Sequence, residues 1–221
     1  MAYVGAVSDD PRTLQTRRRL VDATMQTIRE QGVAKLSART IAATGGVNQA
    51  LVFYHFGSVD GLVAQACRIA TSERVDRYRD DLGAVTTFGG LLDVAGRVRA
   101  DEREAGNVTV LAQVLAASHG NPDLATAAGE AIALWTDAVR PTLRRLLATS
   151  PVGELFDADV LTDLAASAFV GIELMEPTRA AGVPVEDPLA RLRPVAELLD
   201  GLGPIARRAV RSVLRGAAQE Q

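Results

Sequence analysis

The sequence predicts an all-α protein, with an N-terminal three-helix helix-turn-helix head followed by a C-terminal helical bundle. Apolar residues recur at helical spacing along most of the 221-residue chain, and no alternating strand pattern interrupts them. Ala, Leu and Arg, which favour helices, dominate the composition. Breaks that contain glycine or proline divide the apolar pattern into segments of helical length.

The composition restricts the class of protein. Cys67 is the only cysteine, and His55 and His119 are the only histidines, so an intrachain disulfide and a His-rich metal site are excluded. No cofactor is expected. The N-terminus lacks the pattern of a signal peptide, and no window of 18 uninterrupted apolar residues predicts a membrane span. We therefore expect a cytoplasmic protein.

Charge divides the chain into two parts. Residues 11–60 carry seven basic and three acidic residues, a net charge of +4, whereas residues 61–221 carry 17 basic and 22 acidic residues, a net charge of −5. A basic head on an acidic body favours a module that binds a polyanion. We predict a DNA-binding domain at 12–60, joined to a second domain at 61–221. Chance clustering in an arginine-rich chain is the alternative.

Three short helices account for the head. Apolar spacing predicts the first helix over 13–31, and Gly32 is placed to end it. Ser37 is a suitable N-cap for the second helix, which Gly45 and Gly46 break. Asn48 is a suitable N-cap for the third helix. Two short helices joined through a glycine form a helix-turn-helix pattern, and the first helix completes a small core.

Amphipathic segments continue through the rest of the chain. Pro141, inside one of them, is expected to kink the helix or to mark a boundary. The predicted helices lie at 60–83, 88–104, 108–119, 122–149, 157–180, 187–201 and 204–217.

The third helix carries groups suited to reading DNA. In a helix-turn-helix, the N-terminal residues of the second helix of the motif reach base edges in the major groove. The amides of Asn48 and Gln49 match the donor and acceptor of adenine, and the Tyr54 ring could contact a thymine methyl or its hydroxyl a phosphate. The alternative for Asn48 is that it only caps the helix.

Basic residues near this helix are candidates for contacts to the DNA backbone. Arg17, Arg18 and Arg19 are suited to phosphates, and Arg39 to a guanine or a phosphate. The alternatives are that the three arginines form a solvated face and that His55 is a packing histidine.

The stretch LSARTIAATGGVNQALVFYHFGSVDGL, with the apolar helix before it, resembles the signature of the tetracycline-repressor (TetR) family of bacterial regulators. The resemblance covers about residues 13–62. It implies a ligand-responsive, homodimeric DNA-binding regulator, in the direction of a repressor that a small molecule releases from a palindromic operator.

The resemblance also implies roles for single residues. Arg39 and Gln49 would contact base edges, and His55 would approach a phosphate. The residues that would face the major groove are Asn48, Ala50 and Tyr54. Ser37 is included among the predicted DNA-binding residues. This sequence departs from the family at Leu51, Phe53 and Val59, where the family often has threonine, tyrosine and lysine. Each departure removes a phosphate partner, although Leu51 could instead contact a thymine methyl.

Residues 61–221 resemble the family's effector-binding domain in length and helicity. Candidate ligand contacts for an unknown small molecule are His119, Trp135, Phe169 and Glu173. Ordinary core packing of the two aromatic residues, and a surface turn at His119, are the alternatives. We predict that segment 157–176 and the last segment form the dimer interface.

Two other classes of function remain open. A helical enzyme is disfavoured because the sequence has no Walker A loop and no H-E-x-x-H or G-x-S-x-G motif, so we expect no enzymatic activity. A protein-interaction module with weakened DNA binding is compatible with the departures at Leu51, Phe53 and Val59.

Overall fold

The computed structural model describes residues 10–154, 156–175 and 188–218. All the regular structure in these residues is helical, which confirms the predicted fold class. The chain divides into two compact units, one of Met1–Ala70 with Thr109–Ala131 and one of Thr71–Val108 with Ile132–Gln221. The predicted domain boundary at residue 60 stays a prediction.

Ten α-helices lie in the described residues, and each predicted segment coincides with one of them. They are α1 (Pro11–Gln31), α2 (Ala38–Gly45), α3 (Ala50–Phe56), α4 (Val59–Ala84), α5 (Phe88–Glu104), α6 (Asn107–Ser118), α7 (Pro122–Thr149), α8 (Ala158–Met175), α9 (Pro188–Gly201) and α10 (Pro204–Ala218). Short 3₁₀ turns occupy Val33–Lys35 and Pro151–Glu154. The predicted extension of α8 to residue 180 lies outside the described residues.

Local signals explain the ends of the first two helices. α1 begins two residues earlier than predicted because Asp10 accepts a hydrogen bond from the Arg12 N–H and Pro11 occupies the first turn. Ser37 and Thr40 form a capping box at the start of α2, as each side chain bonds the backbone N–H of the other. The cap predicted at Ser37 is therefore confirmed.

α7 runs through Pro141 without interruption, so the alternative of a helix boundary at this residue is wrong. The residues that follow the proline keep the helix in place: Thr142 and Leu143 come directly after it and are both buried. The Thr142 hydroxyl also donates to the Leu82 carbonyl at 2.8 Å. Packing thus overrides the lost backbone hydrogen bond.

The core of the first unit extends beyond the three helices of the head. Leu20, Ile28, Ile41 and Val52 of α1–α3 are fully buried. Side chains of three further helices belong to the same apolar cluster: Leu62, Val63, Ala66 and Cys67 of α4, Val110 and Val114 of α6, and Leu124 and Ala128 of α7. The head, defined as α1–α3, therefore completes its core with residues that follow it in sequence.

The second unit has its own apolar core, with Tyr78 and Leu82 of α4, Val94 and Val98 of α5 and Leu146 of α7. α9 is attached to α5 by a cap between helices. Both carboxylate oxygens of Asp200 accept backbone N–H groups at the start of α5, from Phe88 and Gly89, at 2.9 Å each. A carboxylate at a helix N-terminus is favourable because it satisfies amides that have no partner within the helix.

No helix in the described part of the chain is long and apolar enough to cross a membrane.

Candidate nucleic-acid interface

α3 separates a buried face from an exposed one. Val52 is fully buried beneath the helix, whereas Tyr54 is 80% exposed and Phe53 55% exposed. At its N-terminal end Asn48, Gln49 and Ala50 are also exposed. The residues predicted to face DNA at the start of this helix are thus free of the core, and their contacts with bases stay a prediction.

The N-cap position of α3 is Gln49, whose side chain makes no capping hydrogen bond, so the N-cap predicted at Asn48 is displaced by one residue. Asn48 nevertheless satisfies a backbone donor of the first turn. Its side-chain oxygen accepts the N–H of Ala50 at 2.9 Å. The side-chain nitrogen remains available as a donor, since an amide group carries an acceptor and two donor hydrogens. Capping and a contact to DNA are therefore compatible at this residue.

Two of the three departures from the family pattern are turned toward the core. Leu51 and Val59 are half-buried and pack against the apolar cluster of the first unit. Each contributes packing where the family has a polar group. Phe53 differs, because more than half of its side chain is exposed.

Arg17 joins α1 to the end of α3. Its Nη1 donates to the backbone carbonyl of His55 at 3.0 Å, and its guanidinium carbon lies 4.7 Å from the centroid of the Phe56 ring. Unsatisfied carbonyls at a helix C-terminus favour a cation, and the ring face adds a cation–π contact. Arg17 thus has a structural role that the sequence analysis missed, beside its predicted contact with phosphate.

His55 is half-buried between two rings. Its imidazole packs edge-on against Tyr54, with centroids 4.8 Å apart, and against Phe56 at 6.3 Å. Burial, and then the positive charge of Arg17, lower the pKa of His55 below its ordinary value of 6.5. The imidazole is therefore held neutral in the free protein at neutral pH.

The other predicted backbone contacts lie at the surface of the head. Arg39 is exposed, and Ser37 is half-buried because it caps α2. The Arg18 Nε lies 3.0 Å from an Asp22 carboxylate oxygen, in an exposed pair along α1. Such a pair is easily exchanged for a phosphate because exposed ion pairs are weak.

An open cleft of about 400 Å³ lies beside the end of α3. Its lining includes Arg17, His55, Phe56, Arg68 and Glu130. The Arg68 guanidinium is oriented by the side-chain oxygen of Gln65, through hydrogen bonds of 2.8 and 3.2 Å.

The four predicted ligand contacts do not all lie in the same unit. Trp135, Phe169 and Glu173 belong to the second unit, while His119 is exposed in the first, directly after α6. Trp135 packs against the Tyr78 ring, with centroids 6.1 Å apart. A role for any of them in ligand binding stays a prediction.

Glu173 lies among charged residues that the sequence analysis missed. Only 3% exposed, it forms a hydrogen-bonded ion pair with Arg99, and its second oxygen lies 3.6 Å from the Arg103 Nε. Helical periodicity could not reveal this cluster, because it assigns arginine to the solvent face.

A second group of polar residues, in which Tyr78 and Glu102 are buried, links α4 to α5. The Arg74 Nε lies 2.9 Å from Glu102, and the Tyr78 hydroxyl donates to Asp101. Burial first, and then this hydrogen bond, raise the pKa of Tyr78 to about 12. Burial also raises the pKa of Glu102, against the opposing effect of Arg74. No group of three or more metal-ligating side chains occurs in the described residues.

Comparison with known proteins finds the family of bacterial regulatory proteins called tetR, whose N-terminal model matches residues 20–66. The HTH-type transcriptional regulator BetI of Stenotrophomonas maltophilia (strain R551-3) is 41% identical over 70 residues. That match covers 30% of this chain and 36% of BetI, so the chain spans about a third of the length of this relative.

Solved structures resemble the whole fold. A protein from Rhodococcus sp., described as a TetR-family transcriptional regulator, has a TM-score of 0.69 and 17% identity, covering 85% of this chain and 100% of its own. One from Saccharomonospora viridis, described as a transcriptional regulator in complex with choline, has a TM-score of 0.56 and 20% identity, covering 83% and 94%. At these identities the likeness shows a shared fold.

Proposed function

We propose that the chain, whose residues 20–66 match the N-terminal model of the tetR family of bacterial regulatory proteins, is a ligand-responsive, homodimeric DNA-binding transcriptional regulator of that family. The observation that carries the proposal is α3: its family-matched sequence exposes Gln49 and Tyr54 on one side while Val52 anchors the other in the core. Residues 12–60 form the DNA-binding domain and residues 61–221 bind ligand and form the dimer.

Base reading is assigned to the N-terminal end of α3 and to α2. Gln49 and Arg39 contact base edges, and Asn48, Ala50 and Tyr54 face the major groove. All five are exposed, so no change in the head is required to expose them. Amide and guanidinium groups discriminate bases in the major groove by their donor and acceptor patterns.

Phosphate binding is assigned to Arg17, Arg18, Ser37 and His55. It compensates for the hydroxyl and lysine groups that this chain lacks at Leu51, Phe53 and Val59. A phosphate near His55 favours the imidazolium form and opposes the burial and the Arg17 charge that keep it neutral in the free protein.

The effector is a small molecule bound in the second unit, near Trp135, Phe169 and Glu173. The aromatic pair of Trp135 and Tyr78 and the buried carboxylate of Glu173 provide apolar and polar contacts of the kind that ligand sites combine. The structural relative from Saccharomonospora viridis binds choline, which supports a small-molecule effector as a class. His119 lies in the first unit and stays a separate prediction, outside this site.

The dimer forms through α8 and α10. α8 exposes Val160, Leu164, Ala165 and Ala168 along one side, and α10 exposes Ile205. Leu161 and Ile172 of α8, and Ala206 and Val210 of α10, are half-buried. The side chains of Val213 and Leu214, also predicted in this interface, lie outside the described residues.

Regulation follows from linkage between the two sites. The dimer has one arrangement of its two heads that fits DNA and another that does not. A ligand shifts the equilibrium between these two arrangements only as far as its affinities for them differ. On a palindromic operator the recognition helices must lie about 34–36 Å apart to enter successive major grooves. Ligand favours a different spacing and releases the DNA, which makes the protein a repressor. It acts in the bacterial cytoplasm, on nucleoid DNA, and catalyses no reaction.

Fluorescence anisotropy with the promoter region beside its own gene tests the proposal. The parent protein should bind this fragment with an affinity that falls linearly in log–log form as salt rises, because bound phosphates release counterions. Gln49→Ala and Tyr54→Ala should weaken binding to this fragment more than to random DNA. Their thermal stability should match the parent, since both side chains are exposed.

Two results would count against the proposal. Equal affinity of the double variant and the parent for the promoter fragment would contradict the assignment of base readers. Absence of any salt-dependent DNA binding by the parent would favour the alternative of a protein-interaction module.

A further inference from the structure

Side chains of α6 and of the α6–α7 turn contact the chain just before α2 and just after α3, on either side of the helix-turn-helix motif. Gln113 of α6 contacts the end of α1, and Asn121 at the start of α7 contacts the start of α4. All of these residues belong to the first unit. No motif marks either amide, and neither is among the residues assigned above to DNA or ligand.

Gln113 binds both sides of the chain reversal that ends α1. Its side-chain oxygen accepts the Val33 N–H at 2.7 Å, and its nitrogen donates to the Ile28 carbonyl at 3.4 Å. A Cβ at Gly32 would lie 3.1 Å from the Gln113 oxygen, so a glycine allows this close approach. The amide thus satisfies one donor and one acceptor where the helix ends.

Asn121 uses both ends of its amide. The oxygen caps α7 by accepting the N–H groups of Asp123 and Leu124 at 3.0 and 3.3 Å. The nitrogen donates to the Asp60 carboxylate at 2.9 Å. Asp60 lies in the first turn of α4, four residues after the last residue of α3.

Apolar packing between these two contacts makes the connection continuous. Val110 and Val114 of α6 and Leu124 of α7 lie in the same buried cluster as Val52 of α3. The recognition helix α3, together with α2, therefore lies between two points of the chain that bind side chains of α6 and of the α6–α7 turn. Its seven residues contribute a single fully buried side chain of their own, Val52, so its placement depends on these neighbours.

We infer that Gln113 and Asn121 are positioning residues for DNA binding, because they tie the end of α1 to α6 and the start of α4 to the α6–α7 turn, and so fix the placement of α2 and α3 between these two points. The inference rests on the proposed DNA-binding function.

Swapping the side chains of Asn121 and Asp60 distinguishes a role of Asn121 in positioning α3 from its role in capping α7. Asn121→Asp keeps the oxygen that caps α7 but replaces the donor by a carboxylate facing Asp60. Adding Asp60→Asn supplies a donor from the other side and restores the hydrogen bond in reverse. A role limited to capping α7 would not respond to the change at Asp60.

The measurement compares the parent, the two single variants and the double variant by anisotropy on the promoter fragment and on random DNA. Asn121→Asp should lose about tenfold in affinity for the promoter fragment, the order expected for a lost hydrogen bond to a charged group. Random DNA should bind nearly as before, because phosphate contacts alone supply non-specific affinity. Asp60→Asn should lose less, and the double variant should recover most of the loss.

Ala125→Asp is the matched control. It adds the same negative charge to the first turn of α7 at an exposed residue, so its effect reports charge alone. If Asn121→Asp binds like this control, or if Asp60→Asn does not rescue it, the inference is wrong.

Hydrogen exchange keeps this outcome distinct from failure of the proposed function. Amides of α3 and of the first turn of α4 should exchange faster in Asn121→Asp and recover in the double variant, with no DNA present. If the parent protein binds no DNA, the proposed function is wrong, and so is the DNA-binding role of the two amides. Hydrogen exchange then still decides whether the Asn121–Asp60 pair holds α3 in place. Unchanged exchange in Asn121→Asp overturns the positioning role even if the parent binds DNA.

Discussion

Arg17 illustrates how one side chain serves both the fold and the proposed interface. Its guanidinium has five donor hydrogens, of which the His55 carbonyl uses one in the described contacts, while its flat face lies over Phe56. Donors on the other edge remain suited to a phosphate. The same arginine therefore fixes the end of α3 and places positive charge beside it, which reduces the need for the hydroxyls that this helix lacks.

The lowered pKa of His55 leads us to expect opposite pH trends for stability and for DNA binding. Its pKa is lowered in the folded protein, so its contribution to stability is present above pH 6.5 and is lost as the pH falls through the lowered value. A phosphate partner raises the same pKa, so DNA binding should take up a proton and tighten from about pH 8 to about pH 6. Melting curves and anisotropy titrations across this range would measure the two trends.

His55→Gln is the control for this experiment, because it removes the titration and keeps a polar side chain. Both trends should flatten in the variant. If the parent's DNA affinity changes with pH no more than that of the variant, His55 does not approach a phosphate in the complex.

At the scale of single helices, replacing a glycine by alanine should have opposite effects on stability at two sites. Gly32 has a φ of +86° and ends α1, and a Cβ there would lie 3.1 Å from the Gln113 oxygen. Gly32→Ala should therefore destabilise the protein by about 1–3 kcal/mol, the range for a residue forced into this backbone region. Gly129→Ala, inside α7 with open space around it, should stabilise the protein by about 0.5–1 kcal/mol. Urea unfolding measures both; a Gly32→Ala variant as stable as the parent would contradict the first.

Two ion pairs of the second unit differ in burial and should differ in their effect on stability. Glu173 is buried with Arg99, so Glu173→Gln removes the negative charge from a buried ion pair and should cost about 3–5 kcal/mol. Asp81→Asn removes the same charge from the exposed pair with Arg97 and should cost about 0–1 kcal/mol. The free energies of unfolding from urea titration give the comparison; equal losses would show that Glu173 is not held as described.

The sequence was sufficient to place most helices because their ends carry local signals. Ser37, Gly32 and the breaks around 119–122 and 201–204 act within a few residues, and the apolar spacing between them has a single period. Interior polar contacts carry no such signal. Arg99 and Glu173 are 74 residues apart, and each alone is typical of a solvent-facing position. Likewise, only the fold reveals that Val110 and Val114 complete the core of the head.

At the scale of the whole molecule, the proposed dimer predicts how strongly DNA binding depends on salt. Leu164 lies on the exposed side of α8 and is 57% exposed in the single chain, so a charge there disturbs the proposed interface more than the protomer. Leu164→Glu should give a monomer in analytical ultracentrifugation. Leu198→Glu, at an exposed leucine of α9 outside that interface, should remain dimeric.

Loss of the dimer should change the salt dependence of DNA affinity by a definite amount. Each head neutralises its own set of phosphates, and log affinity falls with log salt at a slope of about −0.9 per phosphate contact. A monomer that places one head on a half-site should therefore show about half the slope of the dimer, with an unchanged slope for Leu198→Glu. A monomeric Leu164→Glu variant with the full parental slope would mean that one head makes all the phosphate contacts. In that case the pairing of two recognition helices on a palindrome would not describe how this protein binds DNA.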